Sequence, residues 1–354
     1  MNTLFDFDSN FVYENESVYV KYPITKSVFA KPGCDMFNLF MTKTFTSTPK
    51  IPFGFEKMIR TVYEFHNTKD KQNLEKEITY KITDPIKLIP NNNVIVGFSG
   101  GLDSCYLALK LKNDGYNVTL FHVNNLNTYA QPNEDNFARE YAKEGGFKYV
   151  EVEHKRLKSN VYSENPIRNQ FVMMLMLDYA LENNITKIAM GADWTEPLSE
   201  CVVGLDATDS IEINKYFWDG VKYYIDGIEL IFCEDNIKKV DRVQYIKDKN
   251  FNLFELVYSC VVPYRYSKSL KENNETKYGI KLLNGRCGSC VKCCREFLYL
   301  THLGYYDKND KNVQNFIEHC WLILSDSKYA LMPQKYNKKI PIEIRWKNLL
   351  EQGS

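Results

Sequence analysis

The 354-residue chain lacks several features that would restrict its class at once. It carries no excess charge, because 45 Lys and Arg residues balance 45 Asp and Glu residues, so no overall field attracts nucleic acid or an acidic membrane. Its N-terminus has no basic segment followed by an apolar run, as a secretory signal would have. The most apolar helical stretch, 171–181, is too short to cross a bilayer and contains Asp178. These absences predict a cytoplasmic protein with no membrane partner.

Histidine is scarce, whereas cysteine is abundant. The five His residues are scattered without the spacing of metal ligands, and only His122, at the end of a predicted strand, merits a test. Four of the ten Cys residues lie at 287, 290, 293 and 294, a spacing that predicts metal binding in a reducing compartment. Cys260, Cys287, Cys290 and Cys293 are the candidate ligands, although Cys294 is an alternative to Cys293. A closed site of four thiolates predicts structural Zn²⁺, with an iron–sulfur cluster or free buried thiols as alternatives.

The chain divides by pattern into three regions. Residues 1–90 contain short alternating segments separated by prolines, which predicts a small β-rich module of unknown role. Residues 91–320 alternate apolar strands with amphipathic helices, which predicts an α/β domain with a parallel sheet and right-handed crossovers. Residues 321–354 are predicted to form a helical tail. The predicted strands and helices of the middle region are 94–98, 104–113, 118–123, 136–144, 148–152, 171–183 and 187–191.

The segment Ser99-Gly100-Gly101-Leu102-Asp103-Ser104 follows the first of these strands and opens a helix. Two glycines allow the backbone to approach a ligand closely, and the N–H groups at a helix N-terminus attract anions. The two serines add hydroxyl donors. Asp103 is unusual at an anion site unless it caps the loop or holds Mg²⁺ against phosphates. The segment therefore predicts a phosphate-binding loop. The alternative interpretation is a purely structural tight turn capped by Asp103.

This loop resembles that of the PP-loop ATP pyrophosphatases, which have an adenine nucleotide alpha hydrolase-like fold. The resemblance implies cleavage of ATP between the α and β phosphates, with transient adenylation of a substrate. No Gly-Lys-Ser/Thr follows the glycines, so the loop is not a Walker A motif and transfer of the γ-phosphate is disfavoured. ATP and Mg²⁺ are the cofactors that this resemblance implies.

A Ser-Cys pair upstream of Cys287-Gly-Ser-Cys290-Val-Lys-Cys293, together with Pro166-Ile-Arg168-Asn169, is similar to the 7-cyano-7-deazaguanine synthase family. The resemblance covers roughly residues 93–300. It implies that ATP adenylates the carboxylate of a 7-carboxy-7-deazaguanine and that ammonia then gives an amide, which a second activation dehydrates to a nitrile. It also implies a structural zinc and a homodimer.

The same resemblance assigns further site residues. Arg168 and Asn169 would lie near ATP and substrate, with Arg168 balancing phosphate charge. Asp209 would take the place of a family aspartate that faces the guanine edge, although the Tyr-Pro and Cys that accompany it in the family are missing. Asp193, after the fourth predicted strand, either contacts substrate or lies in a solvated loop.

Three other functions stay open. The same activation would join a deazaguanine to a partner protein through an amine in antiviral defence, with residues 1–90 recruiting the partner. A tRNA thiolation enzyme of the PP-loop type would need a catalytic cysteine or cluster beside the loop, where Cys105 is expected to be buried. A nucleotide-binding or zinc-dependent scaffold would show no turnover.

Overall fold

The protein is represented by a computed structural model, and every structural statement below concerns the residues that it describes. These are residues 10–12, 18–21, 29, 36, 53–65, 84–124, 133–156, 167–191, 210–232, 237–262, 264–326 and 333–351. Asp193 and Asp209, predicted to contact substrate, lie outside them, as do Cys34, Cys201 and Cys233.

The chain forms two compact units, each assembled from segments that are not consecutive in sequence. The first unit comprises residues 1–98, 110–128 and 148–233, and the second comprises 99–109, 129–147 and 234–354. The sequence predicts three consecutive regions instead, and their boundaries stay predictions.

The first unit contains a seven-stranded sheet in the order β1-β2-β6-β5-β4-β7-β9 and a two-stranded sheet of β3 and β8. The strands are β1 Asn10–Val12, β2 Val18–Lys21, β3 Ile86–Lys87, β4 Asn93–Gly97, β5 Asn117–Val123, β6 Lys148–Arg156, β7 Lys187–Met190, β8 Ile225–Asp226 and β9 Glu229–Phe232. From β6 to β9 all neighbours are parallel, with β4 between β5 and β7. This confirms the predicted α/β class with a parallel sheet.

Helices occur in both units. They are α1 Glu56–Phe65, α2 Leu102–Asn113, α3 Asn133–Glu144, α4 Arg168–Glu182, α5 Ile211–Val221, α6 Lys239–Lys249, α7 Phe251–Glu255, α8 Tyr264–Tyr278, α9 Val291–His302, α10 Lys311–Ser325 and α11 Ile342–Leu350. A 3₁₀ turn spans Pro333–Tyr336. The predicted strands and helices of residues 94–191 are all present, with ends shifted by a few residues because terminal turns are weakly specified by sequence.

The core of the first unit forms between the parallel sheet and helices α1, α4 and α5. Helix α4 is buried along most of its length, from Gln170 to Ala180, which explains why its sequence is almost uniformly apolar. Its Asp178 is also buried and accepts a hydrogen bond from the backbone N–H of Phe29 at 2.9 Å. A buried carboxyl group with a backbone partner accounts for the one acidic residue in the buried stretch 170–180 of this helix.

The N-terminal strands extend the main sheet. β1 pairs with β2, and β2 pairs with β6, both antiparallel. The alternating pattern predicted these strands, but a local pattern carries no information about which strand a distant segment will pair with. Most of residues 1–90 lie outside the described part, so the predicted β-rich module as a whole stays a prediction.

Among the described helices, none is both long and apolar enough to span a bilayer.

Candidate active site

The predicted phosphate loop leads from β4 into α2. Gly100 has φ +74°, a left-handed conformation that glycine adopts without strain. The Ser99 hydroxyl accepts from the Gly101 N–H at 3.3 Å and lies 3.2 Å from the Ser104 hydroxyl, which donates to the Gly101 carbonyl at 3.1 Å. The loop is therefore closed on itself by its two serines, and its fixed backbone precedes a helix N-terminus.

The reason for a glycine at position 101 differs from the reason at position 100. A Cβ at Gly101 would meet only the Ser99 hydroxyl at 3.3 Å, with the next atoms at 3.9 Å, and its φ is not left-handed. The surrounding protein therefore leaves room for a methyl group at this position once the Ser99 hydroxyl shifts by a few tenths of an ångström. A glycine at this position is explained instead by a ligand that approaches the backbone closely.

We expect Gly101→Ala to lower the affinity for Mg²⁺–pyrophosphate at least tenfold while changing the unfolding free energy by less than about 0.5 kcal/mol. Calorimetric titration and urea unfolding measure the two quantities. Gly304→Ala is the control, because Gly304 is exposed, has nothing within 4 Å of its Cβ position and, unlike Gly101, has a left-handed φ of +74°. It should cost about 1 kcal/mol of stability and leave the affinity unchanged. Equal affinity in Gly101→Ala and wild type would contradict the interpretation.

Asp103 lies in the first turn of α2 and is held by two cations of helix α6. Its carboxylate accepts from Arg242 Nη1 at 2.7 Å and from Lys239 Nζ at 3.0 Å. Lys239 and Arg242 are three residues apart and so share one face of their helix. The Arg242 side chain is fully buried, whereas Asp103 and Lys239 are 28% and 20% exposed. The arrangement neutralises a carboxylate that would otherwise repel phosphate, while leaving positive charge beside the loop.

The ionisation of Asp103 follows from this arrangement. Desolvation works to raise its pKa, but the charges of Lys239 and Arg242 and their hydrogen bonds outweigh it and lower the pKa to about 2. Asp103 is thus ionised at neutral pH. The sequence predicted a role for Asp103 but did not identify Lys239 or Arg242, because nothing in their own segment shows that their helix packs against this carboxylate. Coordination of Mg²⁺ by Asp103 stays a prediction.

Two other residues near the loop have structural contacts. His122, buried at the end of β5, donates from Nδ1 to the Phe98 carbonyl at 2.7 Å, so it supports the residue just before the loop. The Cys105 thiol donates to the Gly100 carbonyl at 3.3 Å, and burial raises its pKa well above the usual range. A thiol held protonated in this way is not an effective nucleophile.

The four cysteines predicted as ligands converge in the second unit. The thiols of Cys260, Cys287, Cys290 and Cys293 all lie within 4.8 Å of one another and are buried. Cys290 caps helix α9, and its sulfur accepts from the Cys293 N–H at 3.4 Å. The Cys294 thiol instead donates to the Gly288 carbonyl at 3.7 Å. Adjacent residues of a helix point about 100° apart, which explains why only one of the pair joins the cluster.

The donor set fits a single tetrahedral ion. Four thiolates about 2.3 Å from one zinc ion stand about 3.8 Å apart, and the Cys287 and Cys293 sulfurs are 3.8 Å apart. A four-iron cluster attaches each thiolate to a different iron atom, which spreads the sulfurs further. Hydrogen bonds among the four thiols lower the pKa of Cys260 and Cys290 and raise the pKa of Cys287 and Cys293, so the four groups titrate as one coupled cluster.

The remaining predicted residues lie in the first unit or outside the described part. Arg168 and Asn169 are the first two residues of α4, and both are partly buried. Their predicted place beside ATP stays a prediction, as do the roles of Asp193 and Asp209.

Residues 92–172 match the model of the family described as tRNA methyl transferase HUP domain. The match includes β4, the loop and α2. This segment is similar to a HUP domain. A loop with a fixed backbone at a helix N-terminus, as found within this segment, is suited to binding a phosphate group.

Comparisons with curated proteins and with solved structures give two further results. No curated protein matches the chain. Among solved structures, the U34-tRNA thiolase NcsA from Methanococcus maripaludis with its [4Fe-4S] cluster is 17% identical, covering 63% of this chain and 74% of that one, with a TM-score of 0.31. A TM-score this low does not establish a shared fold.

Proposed function

We propose that this protein is an enzyme that cleaves ATP between the α and β phosphates and adenylates an acceptor, releasing AMP and pyrophosphate. The observation that carries this proposal is the Ser99–Ser104 loop at the start of α2, within the segment that matches the HUP family model. Backbone N–H groups and the helix dipole favour the pyrophosphate, and the loop lacks the lysine of γ-phosphate-transferring loops. Mg²⁺ would accompany the phosphates, and Zn²⁺ would be held by Cys260, Cys287, Cys290 and Cys293, where its contribution is structural.

The acceptor is either a tRNA base or a 7-deazaguanine carboxylate. The name of the matching family favours tRNA modification. The resemblance at Ser259-Cys260, Arg168 and Asn169 favours the deazaguanine, with ammonia, an amine or a partner protein receiving the activated carbonyl. Thiolation of tRNA would need a reactive sulfur, and Cys105 beside the loop is buried with a raised pKa. We also propose that the protein is cytoplasmic and forms a homodimer.

The test is identification of the nucleotide product. ATP labelled at the α-phosphate is incubated with enzyme, Mg²⁺ and either 7-carboxy-7-deazaguanine plus ammonia or unmodified tRNA plus sulfide. We expect labelled AMP with one acceptor and little without any, and mass spectrometry of the acceptor identifies the new bond. Production of ADP would refute the proposal, as would the absence of AMP with every acceptor. Ser289→Ala, a change in the cysteine segment away from the loop, should match wild type.

A further inference from the structure

A single three-residue segment contacts both the phosphate loop and the cysteine cluster. The Tyr258 N–H donates to the Gly100 carbonyl at 2.7 Å, and the Ser259 hydroxyl accepts from the Leu102 N–H at 3.2 Å. The next residue, Cys260, contributes its thiol to the four-cysteine cluster. Leu102 is the first residue of α2, so Ser259 caps this helix from 157 positions away in the sequence.

The position of this segment is fixed by its own packing. The ring of Tyr258 stacks on Phe137 with centroids 5.0 Å apart and planes inclined by 16°. Phe137 precedes Ala138, whose Cβ lies 3.8 Å from the Cβ position of Gly100. The segment and the loop are therefore held against the same part of helix α3, and the aromatic contact orients the backbone of Tyr258 toward Gly100.

The cysteine segment is fastened to the same region by a buried arginine. Arg286, next to Cys287, donates from Nη2 to Glu296 at 2.6 Å and to the Phe254 carbonyl at 3.2 Å, and from Nη1 to the Glu255 carbonyl at 3.0 Å. Phe254 and Glu255 end the helix that leads into Tyr258. The residues before Cys260 and those before Cys287 are thus joined by hydrogen bonds that do not involve the thiols. A metal ion would add the remaining link at Cys260.

We propose that Ser259 is a positioning residue through which the metal-bound cysteine centre holds the phosphate loop in the conformation that takes ATP. Metal binding at Cys260 fixes the backbone of the neighbouring Ser259, and the Ser259 hydroxyl fixes the Leu102 N–H. Partners outside the ligand set orient functional groups in this way in many metal sites. The proposal rests on the proposed function, because it assumes that ATP binds at Ser99–Ser104.

The test compares three variants of the full-length, metal-loaded protein. Calorimetry measures the affinity for Mg²⁺ with α,β-methylene-ATP, which cannot be cleaved between the α and β phosphates. Ser259→Ala should weaken binding about 3- to 10-fold, as expected for one lost hydrogen bond, while Ser259→Thr, which keeps the hydroxyl, should bind like wild type. Ser289→Ala is the matched control, because its hydroxyl accepts from Asn274 at 2.8 Å instead of from the loop, and it should also bind like wild type.

Amide hydrogen exchange at Leu102 gives a readout independent of activity and of nucleotide. Exchange should be faster in Ser259→Ala and in the chelator-treated wild type than in the metal-loaded protein, and unchanged in Ser289→Ala. Wild-type affinity in Ser259→Ala, or loss of its metal, would overturn the positioning role while leaving the proposed function intact. Failure of the wild type to bind the analogue would overturn both.

Discussion

Replacing Asp103 by asparagine is expected to lower the free energy of unfolding by about 2 to 4 kcal/mol and to reduce AMP release at least a hundredfold. The loss of stability follows from Arg242, whose side chain is fully buried and would keep its charge without the carboxylate that it contacts at 2.7 Å. The loss of activity follows from the position of Asp103 in the first turn after the loop. Urea unfolding and the labelled-ATP assay measure the two effects.

The difference in unfolding free energy between wild type and Asp103→Asn should depend on pH in a defined direction. The folded-state pKa of Asp103 is lowered to about 2, against about 4 in an unfolded chain. Its contribution is therefore fully present above pH ~4 and is lost as the pH falls toward 2. The stability difference between wild type and Asp103→Asn should be constant near neutrality and shrink below pH ~4. A difference that grows as the pH falls would contradict the ion-pair interpretation.

Asp114→Asn provides the matched control for Asp103→Asn. Asp114 lies just beyond the other end of helix α2 and pairs with Lys110 at 2.8 Å, but its side chain is 44% exposed. Exposed pairs at this spacing contribute about 0.3 to 0.5 kcal/mol, because water screens the charges. We expect a loss of that size and normal AMP release. A comparable loss of stability in both variants would indicate that the burial of Arg242 does not govern the effect.

Replacing Cys290 by serine is expected to abolish tight metal binding and to lower the stability of the second unit by an amount on the order of 5 kcal/mol. Four thiolates within 4.8 Å of one another repel one another unless an ion neutralises them, and Cys290 contributes both a sulfur and the cap of helix α9. Elemental analysis should find one zinc per wild-type chain and none in Cys290→Ser. Four irons per chain would contradict the single-ion geometry.

Cys294→Ala distinguishes the two adjacent cysteines. The Cys294 thiol faces the Gly288 carbonyl and lies outside the cluster, so this variant should retain one metal ion per chain. Its stability should fall by about 1 kcal/mol or less, the cost of a small buried cavity. Loss of the metal in Cys294→Ala would show that Cys294, and not Cys293, is the ligand.

Much of the parallel sheet could be predicted because its signals are local. Apolar runs such as 94–98 and 118–123 repeat at the spacing of strand, helix and strand, and burial on both faces makes each run continuous. The turn from β4 into α2 could also be predicted, because the glycines of Ser99–Ser104 lie directly between a strand pattern and a helix pattern. The spacing of Cys287, Cys290 and Cys293 likewise predicted that these thiols would converge.

The tertiary structure decided the partners of these local features. Lys239 and Arg242 follow Asp103 by 136 and 139 positions, and nothing in their own segment indicates that their helix packs against this carboxylate. Ser259 appeared in the sequence only as the neighbour of a cysteine. The sequence also did not predict that the N-terminal strands pair with β6, because such pairing depends on which strand lies at the exposed edge of the sheet.

The sequence by itself determined which segments become strands, where a glycine-rich loop joins a strand to a helix and which thiols would gather, because these depend on periodicities of two or 3.6 residues and on short spacings. Only the tertiary structure decided that Asp103 is neutralised by Lys239 and Arg242, that Cys293 and not Cys294 joins the cluster, and that Ser259 reaches the loop. Contacts between residues far apart in the chain depend on how whole helices pack, and no local pattern encodes that packing.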